Sequence, residues 1–164
     1  MARIAIILCL ISLTNVRSHS LHRRDTPRQF LEIEQKIAQE SFECGKQLGL
    51  KVLDMKLPKE FGIFDDEDHA ITNEFWGCIW YRMDLITKDS VVNEENVANY
   101  YSEMLTLLKP PTTLNRETIN YFVQQCKQLK SKNYGQMAIK VQNCMETRLH
   151  VYVMLERLFS IKMG

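Results

Sequence analysis

Cysteine is the residue type in this chain whose spacing could support chemistry, and the sequence contains five: Cys9, Cys44, Cys78, Cys126 and Cys144. Zinc sites favour pairs of ligands at CxxC or HxxxH spacing, and neither spacing occurs. The catalytic and phosphate-binding motifs GxSxG, HExxH and GxxxxGKS/T are also absent. We therefore predict no metal site, no cofactor and no catalysis, which leaves disulfide formation as the chemistry of these cysteines.

The N-terminus has the layout of a secretory signal peptide. Arg3 supplies a positive charge, Ile4–Leu13 is apolar, and Ser20 is a small residue that suits cleavage. The apolar run is too short to span a bilayer, which needs about 20 helical residues. We therefore predict a signal peptide at 1–20 and a secreted, extracellular domain at 21–164, with no membrane insertion.

Processing after position 20 removes Cys9 and leaves four cysteines, an even number in an oxidising compartment. Two disulfides are therefore predicted. Four cysteines allow three connectivities, and their spacing alone does not choose among them. All four fall on the apolar face of a predicted helix, so each bond is expected to join one helix to another.

The charge balance excludes one class of partner. Lys and Arg number 21 against 20 for Asp and Glu, which gives a formal net charge of +1. A chain with so little excess positive charge gains little from releasing the counterions of a phosphate backbone, so nucleic acid is not an expected partner. The composition, 45% hydrophobic and 25% charged, is typical of a single globular domain.

The elements that must position the cysteines are helices. From Thr26 onward, apolar residues recur at three- and four-residue steps, and no segment alternates as a strand would. Asn93 is expected to cap the fourth helix, and the inner faces of the first and fifth helices are expected to include Phe42 and Leu129. The six predicted helices cover approximately residues 27–48, 57–61, 70–86, 94–109, 114–130 and 134–159.

The third predicted helix has an unusually wide apolar surface. Its polar positions form one narrow stripe, and nearly everything else on it is apolar. A helix of this kind must be covered on more than one side, so it is expected in the middle of the bundle. The stripe consists of Asn73, Gly77, Tyr81, Asp84 and Lys88.

The cysteine spacing resembles that of insect odorant-binding proteins of the pheromone-binding and general odorant-binding type. Members usually have six cysteines, and the 18-residue step from Cys126 to Cys144 matches their fourth-to-sixth spacing. The places of the second and fifth cysteines fall at Glu74 and Gly135, so the chain resembles the four-cysteine C-minus type. The segments NEFWGCIW, around Cys78, and AIKVQNCM, around Cys144, resemble the third and final cysteine helices of that family.

The resemblance implies a disulfide pairing, a fold and a function. The implied bonds are Cys44–Cys78 and Cys126–Cys144. The implied fold is all-α, a compact bundle of about six helices around a hydrophobic cavity, stapled by the two disulfides. The implied function is that of a secreted carrier for small hydrophobic molecules, such as odorants, pheromones or similar lipophilic ligands, without catalysis.

Apolar and aromatic residues of the predicted helices are the candidates for lining such a pocket. Methionine suits a site that accepts several ligand shapes, because its flexible side chain repacks easily. The hydroxyl of Tyr101 or Tyr152 is expected to orient an alcohol, ester or carbonyl group. The candidate ligand-binding residues are Phe75, Ile79, Met83, Tyr101, Met104, Leu105, Phe122, Met137, Val141 and Tyr152.

Alternatives stay open for the function, the partners and the tail. A secreted helical-bundle signalling protein, acting on a receptor as a cytokine does, would also be helical and disulfide-bonded, but with four long helices and a dry core. A carrier would bind a small hydrophobic ligand, with a chemosensory receptor or a second copy of the chain as further candidate partners. The tail after Cys144 is expected either to close over the pocket or enter it, or to extend the last helix, packing on the bundle or pairing two subunits.

Overall fold

A computed structural model describes residues 28–50, 56, 58, 62–106 and 113–162. The predicted signal peptide and most of the predicted turn at 57–61 lie outside those residues. Within them the only β pairing is an isolated bridge between Ile86 and Val92, so the all-α class is confirmed. None of the described helices is both long and apolar enough to cross a membrane. The five helices are α1 (Arg28–Leu48), α2 (Ala70–Arg82), α3 (Glu94–Leu105), α4 (Arg116–Cys126) and α5 (Tyr134–Lys162).

Side-chain caps determine where three of these helices begin. The predicted cap of α3 is confirmed, because Asn93 Oδ1 accepts a hydrogen bond from the backbone N–H of Asn96 at 3.3 Å. Asn115 caps α4 in the same way, by accepting from the Thr118 N–H at 2.9 Å. At α2 the cap is the imidazole Nδ1 of His69. Each cap satisfies a backbone N–H that has no partner within its helix.

The helix α2 ends earlier than predicted, and a left-handed residue is the reason. Asp84 has a φ of +59°, through which a right-handed helix cannot continue. The backbone N–H of Asp84 bonds to the Tyr81 carbonyl at 3.0 Å, and that of Leu85 bonds to the Trp80 carbonyl at 2.9 Å. These two bonds close a Schellman motif. The amide of Asn96 donates to both the carbonyl and the carboxylate of Asp84 at 2.9 Å, which holds the turn in place.

Two residues predicted on inner helix faces are exposed instead. Phe42 is 60% exposed and Leu129 is 37% exposed. The buried line of α1 runs through Ile37 and Ser41, and one further residue turns the side chain of Phe42 away by about 100°. Leu129 is exposed because α4 ends at Cys126, short of the predicted boundary at 130.

The helix α2 lies in the middle of the bundle, packed against both α1 and α5, as its wide apolar surface predicts. The polar stripe is not exposed along its whole length. Asn73 is only 5% exposed, and its amide donates to the Glu67 carbonyl at 2.9 Å. Gly77 is buried, whereas Tyr81 is 44% exposed. Asn73 and Gly77 are therefore buried where α2 packs against other parts of the protein. Only the end of the stripe, from Tyr81 onward, reaches solvent.

Two glycines allow α2 and α5 to cross at very short range. A Cβ atom added to Gly77 would lie 2.5 Å from the Cα of Gly135. One added to Gly135 would lie 2.3 Å from the Asn73 carbonyl oxygen and 3.3 Å from the backbone nitrogen of Glu74. Since real Cβ atoms do not approach other atoms more closely than 3.0 Å, the crossing requires glycine at both positions. Positions 74 and 135, where the resemblance places the two absent cysteines, are neighbours in this crossing.

Two disulfides join helices to one another. Cys44–Cys78 connects α1 to α2 with a Cα–Cα distance of 5.9 Å, and Cys126–Cys144 connects α4 to α5 with 5.7 Å. This is the pairing that the resemblance implies. The sequence separations of 34 and 18 residues correspond in the chain-entropy model to about 3 to 4 kcal/mol of stabilisation for each bond.

The apolar tail continues α5 as one helix to Lys162, which agrees with the second of the two alternatives, an extension of the last helix. Two of its contacts with the rest of the chain come from Tyr152 and Glu156, one helical turn apart. Glu156 accepts a hydrogen bond from the backbone N–H of Thr113, and the Tyr152 hydroxyl lies 3.4 Å from the Thr113 Oγ1. The described part of the tail is thus a helical extension packed on the bundle.

Candidate functional site

The predicted ligand-binding residues converge from α2, α3, α4 and α5 on one hydrophobic core cluster, to which α1 also contributes. Leu105 and Tyr152 are partly buried and pack against this cluster, and Met104 is partly buried. Seven of the ten are buried members of it: Phe75, Ile79, Met83, Tyr101, Phe122, Met137 and Val141. The sequence pattern therefore found residues that share one apolar interior, and their contact with a ligand stays a prediction.

Helical spacing explains why α2 and α5 each contribute a row of side chains to this interior. Phe75, Ile79 and Met83 recur every four residues and so project from one side of α2. Met137 and Val141 have the same spacing on α5. All five are at most 9% exposed and belong to the same cluster. The glycine crossing holds the two helices close together, which fixes the relative position of the two rows.

The edge of the interior is formed by aromatic contacts between α4 and the tail of α5. The rings of Phe122 and Tyr152 meet edge to face, with centroids 6.4 Å apart, and the Arg148 guanidinium lies 5.9 Å from the Phe122 centroid. The Tyr152 hydroxyl faces Thr113 at this outer edge. Of the two tyrosines predicted to orient a ligand, Tyr152 therefore already has a polar neighbour for its hydroxyl.

Tyr101 is in a different situation, because the whole residue is only 2% exposed. The polar neighbour of its hydroxyl is the Glu146 carboxyl on α5. Its ring contacts that of the adjacent Tyr100 edge to face, with centroids 5.1 Å apart. Burial, together with the nearby Glu146 carboxyl, raises the pKa of both hydroxyls, so the two tyrosines stay neutral at physiological pH.

Glu146 is the residue of this region that the sequence reasoning missed. It lies half-buried on α5, and its carboxyl is near the Tyr100 and Tyr101 hydroxyls. Desolvation by burial raises the pKa of this carboxyl to about 7, partly opposed by the Tyr101 hydroxyl. No lysine, arginine or histidine of the described residues forms an ion pair with it. The interior thus contains an acid that is largely protonated in mildly acidic solution.

The sequence does carry a signal for the partial burial of Glu146. It follows the fully buried Ile139 by seven residues and precedes the buried Leu149 by three. Residues at these spacings lie on the same side of a helix, so Glu146 occupies an inward position. Because glutamate is rarely buried without a partner, reading α5 by its spacing would have marked this residue as unusual.

The segment 62–69 covers Glu146 and is fastened to α5. The Asn143 side chain both accepts from the backbone N–H of Phe64 and donates to its carbonyl, each at 2.8 Å, and the Gln142 amide donates to the Gly62 carbonyl at 3.0 Å. A Cβ atom added to Gly62, whose φ is +73°, would lie 3.5 Å from the Glu146 carboxyl carbon. These bonds place backbone directly over the carboxyl, which contributes to its desolvation.

A separate surface cleft of about 280 Å³ lies between the first turn of α3 and one side of α4. Its polar groups already bind one another: Glu94 pairs with Lys127 and Gln124, and Arg116 donates to Ser102. None of the ten predicted ligand-binding residues lines this cleft. The cleft is therefore distinct from the apolar interior.

One comparison with known proteins identifies a match. A family model described as the PBP/GOBP family matches residues 28–148. That range includes all four disulfide-bonded cysteines, Glu146 and every predicted ligand-binding residue except Tyr152. Among curated proteins and among solved structures, nothing matches the chain significantly.

Proposed function

The chain belongs to the PBP/GOBP family of pheromone-binding and general odorant-binding proteins, and from that premise we propose that it is a secreted carrier of small hydrophobic molecules. The ligand is held in the apolar interior between α2, α3, α4 and α5. The protein performs no chemistry on what it carries. Release of the ligand at its destination leaves the carrier unchanged.

The observation that carries this proposal is the convergence of residues from four helices on one interior that also holds polar groups. Ligand sites are mostly apolar with a few polar groups that orient the ligand. A core that served stability alone would gain from an apolar residue in place of Glu146, because even partial burial of a carboxyl without a cation costs free energy. In a ligand-binding interior, such a residue can help to orient the ligand.

The helix lengths weigh against the alternative of a cytokine-like signalling protein. The helices α2, α3 and α4 contain 13, 12 and 11 residues. A four-helix signalling bundle is built from four long helices around a dry core, and three of the five described helices here have only about three turns each.

Fluorescence titration with N-phenyl-1-naphthylamine tests the proposal. The full mature chain, with both disulfides formed, is expected to bind the probe saturably near one equivalent, with a blue shift of its emission. Unlabelled long-chain alcohols are expected to displace it. Absence of any saturable binding by correctly oxidised protein would contradict the carrier and would favour the signalling protein.

A pair of methionine variants locates the site. Met137 is 7% exposed within the interior, whereas Met154 is 48% exposed on the tail of the same helix. Met137→Trp is expected to weaken probe binding at least tenfold by filling space, and Met154→Trp is expected to leave it within twofold. Met137→Phe, a smaller change, covers the case in which the tryptophan variant does not fold. Equal binding by the interior and surface variants would place the probe elsewhere.

Secretion and the four-cysteine form are parts of the same proposal. The two disulfides favour an oxidising compartment, which supports export by the predicted signal peptide at 1–20. The proximity of Glu74 and Gly135 supports the C-minus form. A third disulfide between these positions is replaced by a close helix crossing that glycine alone permits.

A further inference from the structure

The tail of α5 presents an apolar stripe that the described part of the chain leaves exposed. After Leu149, no residue of the helix is buried as far as Phe159. Side chains separated by three, four, seven and eight residues share one side of a helix, and large apolar residues occupy these positions here. The stripe, called the tail stripe, consists of Val151, Met154, Leu155, Leu158 and Phe159, which are 47% to 61% exposed.

The bundle contacts a different side of the tail. Tyr152 and Glu156 reach Thr113 from the side of the helix that carries the buried Leu149. The centre of the tail stripe is turned away from that side by roughly 120°. The tail stripe therefore faces outward, and a helix gains stability when a second surface covers such an apolar side.

The size of the tail stripe matches what a pair of identical chains requires. Five apolar side chains, each about half exposed, present on the order of 500 Å² to solvent, near the upper limit for a single patch on a monomeric protein. Two copies in contact would bury about 1,000 Å² of apolar surface, and about two thirds of a homodimer interface is apolar. The total is therefore roughly 1,500 Å², within the range of about 1,200 to 2,000 Å² for specific interfaces.

The position of α4 determines the direction in which two tails can pair. Before the tail stripe begins, and on the same side of α5, α4 contacts the helix through the Cys126–Cys144 disulfide and through Arg148, whose guanidinium lies 5.9 Å from the Phe122 centroid. Two parallel tails would bring their α4 helices into the same space. Two antiparallel tails place the bundles at opposite ends, so each tail stripe lies against the other about a two-fold axis.

The charges beside the tail stripe favour a second copy over a lipid surface. Helices that lie on membranes are rich in Lys and Arg next to their apolar face. Between His150 and Phe159 the chain has one arginine, Arg157, and one glutamate, Glu156, so their formal charges cancel. The tail stripe itself contains no charged residue, so two copies bring no like charges together at the centre of the contact.

We propose that the tail stripe is a self-association surface, through which two copies of the chain pair their α5 tails in antiparallel contact. The contact is apolar at its centre and polar at its edges. The tail stripe shares no residue with the predicted ligand-binding set, so self-association is independent of the carrier function. The dimer is reversible, with a dissociation constant on the order of 1 to 100 μM, at the weak end for interfaces of this area.

Sedimentation equilibrium of the full mature chain, with both disulfides formed, tests the proposal over concentrations that span this dissociation constant. Wild type is expected to shift from monomer to dimer. Phe159→Glu and Leu155→Glu place a charge in the tail stripe, so each is expected to raise the dissociation constant at least tenfold. Phe42→Glu is the matched control, because Phe42 is 60% exposed on α1 and Phe159 is 61% exposed on α5. It is expected to dimerise as wild type does.

Phe159→Ala and Phe42→Ala repeat the comparison without a new charge, which covers the case in which glutamate shortens the tail helix. Only the first of them is expected to weaken the dimer, by threefold or more. A wild type that stays monomeric up to about 1 mM would overturn self-association. Equal effects of the changes at Phe159 and Phe42 would overturn its assignment to the tail stripe.

Flotation with vesicles of phosphatidylcholine and phosphatidylglycerol tests the other class of partner. The wild type is expected to stay unbound. A chain that is monomeric but binds the vesicles, and loses that binding in Leu155→Glu, would overturn the second copy in favour of a lipid surface. Binding of N-phenyl-1-naphthylamine is expected to stay within twofold of wild type in Leu155→Glu, so failure of self-association would leave the carrier function standing.

Discussion

The ionisation of Glu146 should make the protein less stable as the pH rises through neutrality. Burial, opposed in part by Tyr101, raises the pKa of this carboxyl from an ordinary value of 4.5 to about 7 in the folded protein. Below pH 4.5 the group is protonated in both the folded and the unfolded states. Between pH 4.5 and about 7 the folded state holds the proton more tightly, so stability falls as the pH rises; above about pH 7 the full cost of the buried charge is present.

The magnitude follows from the difference between the two pKa values. Each pH unit of difference corresponds to about 1.4 kcal/mol, so the buried charge lowers the free energy of unfolding by roughly 3 kcal/mol at pH 8 relative to pH 4. That is a large fraction of the 5 to 15 kcal/mol typical of a domain. Glu146→Gln keeps the size and hydrogen-bonding capacity of the side chain without the charge, so it should remove this loss.

Urea unfolding followed by the fluorescence of Trp76 and Trp80 measures the effect, with wild type and Glu146→Gln compared at pH 4 and pH 8. The free energy difference between the two proteins is expected to change by roughly 3 kcal/mol between these pH values, in favour of the variant at pH 8. Glu74→Gln, on the exposed side of α2, is the matched control. A difference that stays constant with pH, or that equals the one for the control, would refute the reasoning.

Three further changes test the packing and the connections of the bundle by urea unfolding. Gly135→Ala should lower the free energy of unfolding by about 1 to 3 kcal/mol or more, because its Cβ would clash with the Asn73 carbonyl. Gly45→Ala should instead raise it by up to about 1 kcal/mol, because the added Cβ would lie 3.9 Å from the Phe75 ring, an ordinary contact distance, in a helix that alanine favours. Asn143→Ala should cost about 2 to 3 kcal/mol, because two backbone groups of the segment 62–69 lose their partner; an unchanged midpoint would show that the segment does not depend on this side chain. Asn93→Ala should cost about 1 kcal/mol through loss of the α3 cap, and a neutral result would mean that the cap does not limit stability.

The parts of the fold that could be predicted are those that depend on local pattern. The apolar spacing of α2 placed it in the middle of the bundle, and Asn93 marked the start of α3 because an amide side chain can satisfy a free helical N–H. The end of α2 was not predictable in this way. It depends on a left-handed Asp84, which Asn96 holds from the next helix.

The residues of the candidate site also differ in whether local pattern could predict them. Apolar residues at helical spacing, such as Phe75 and Ile79, were found because burial follows from their type and position. Glu146 was missed because a charged residue is normally interpreted as exposed, and its burial depends on the segment 62–69 being fastened by Asn143, a residue 79 positions from Phe64 in the sequence. Contacts over such distances are a property of the folded chain.

The two disulfides enclose separate stretches of sequence, 44–78 and 126–144. Any single cleavage between Cys78 and Cys126 would therefore leave two fragments without a covalent connection, one carrying α1 and α2 and the other carrying α5. A bond between positions 74 and 135 would have bridged that interval. In this protein the two fragments would be held only by non-covalent contacts, above all by the glycine crossing of α2 and α5 and by the hydrogen bonds between Asn143 and Phe64. The protein is thus a natural candidate for reconstitution from two separately oxidised halves.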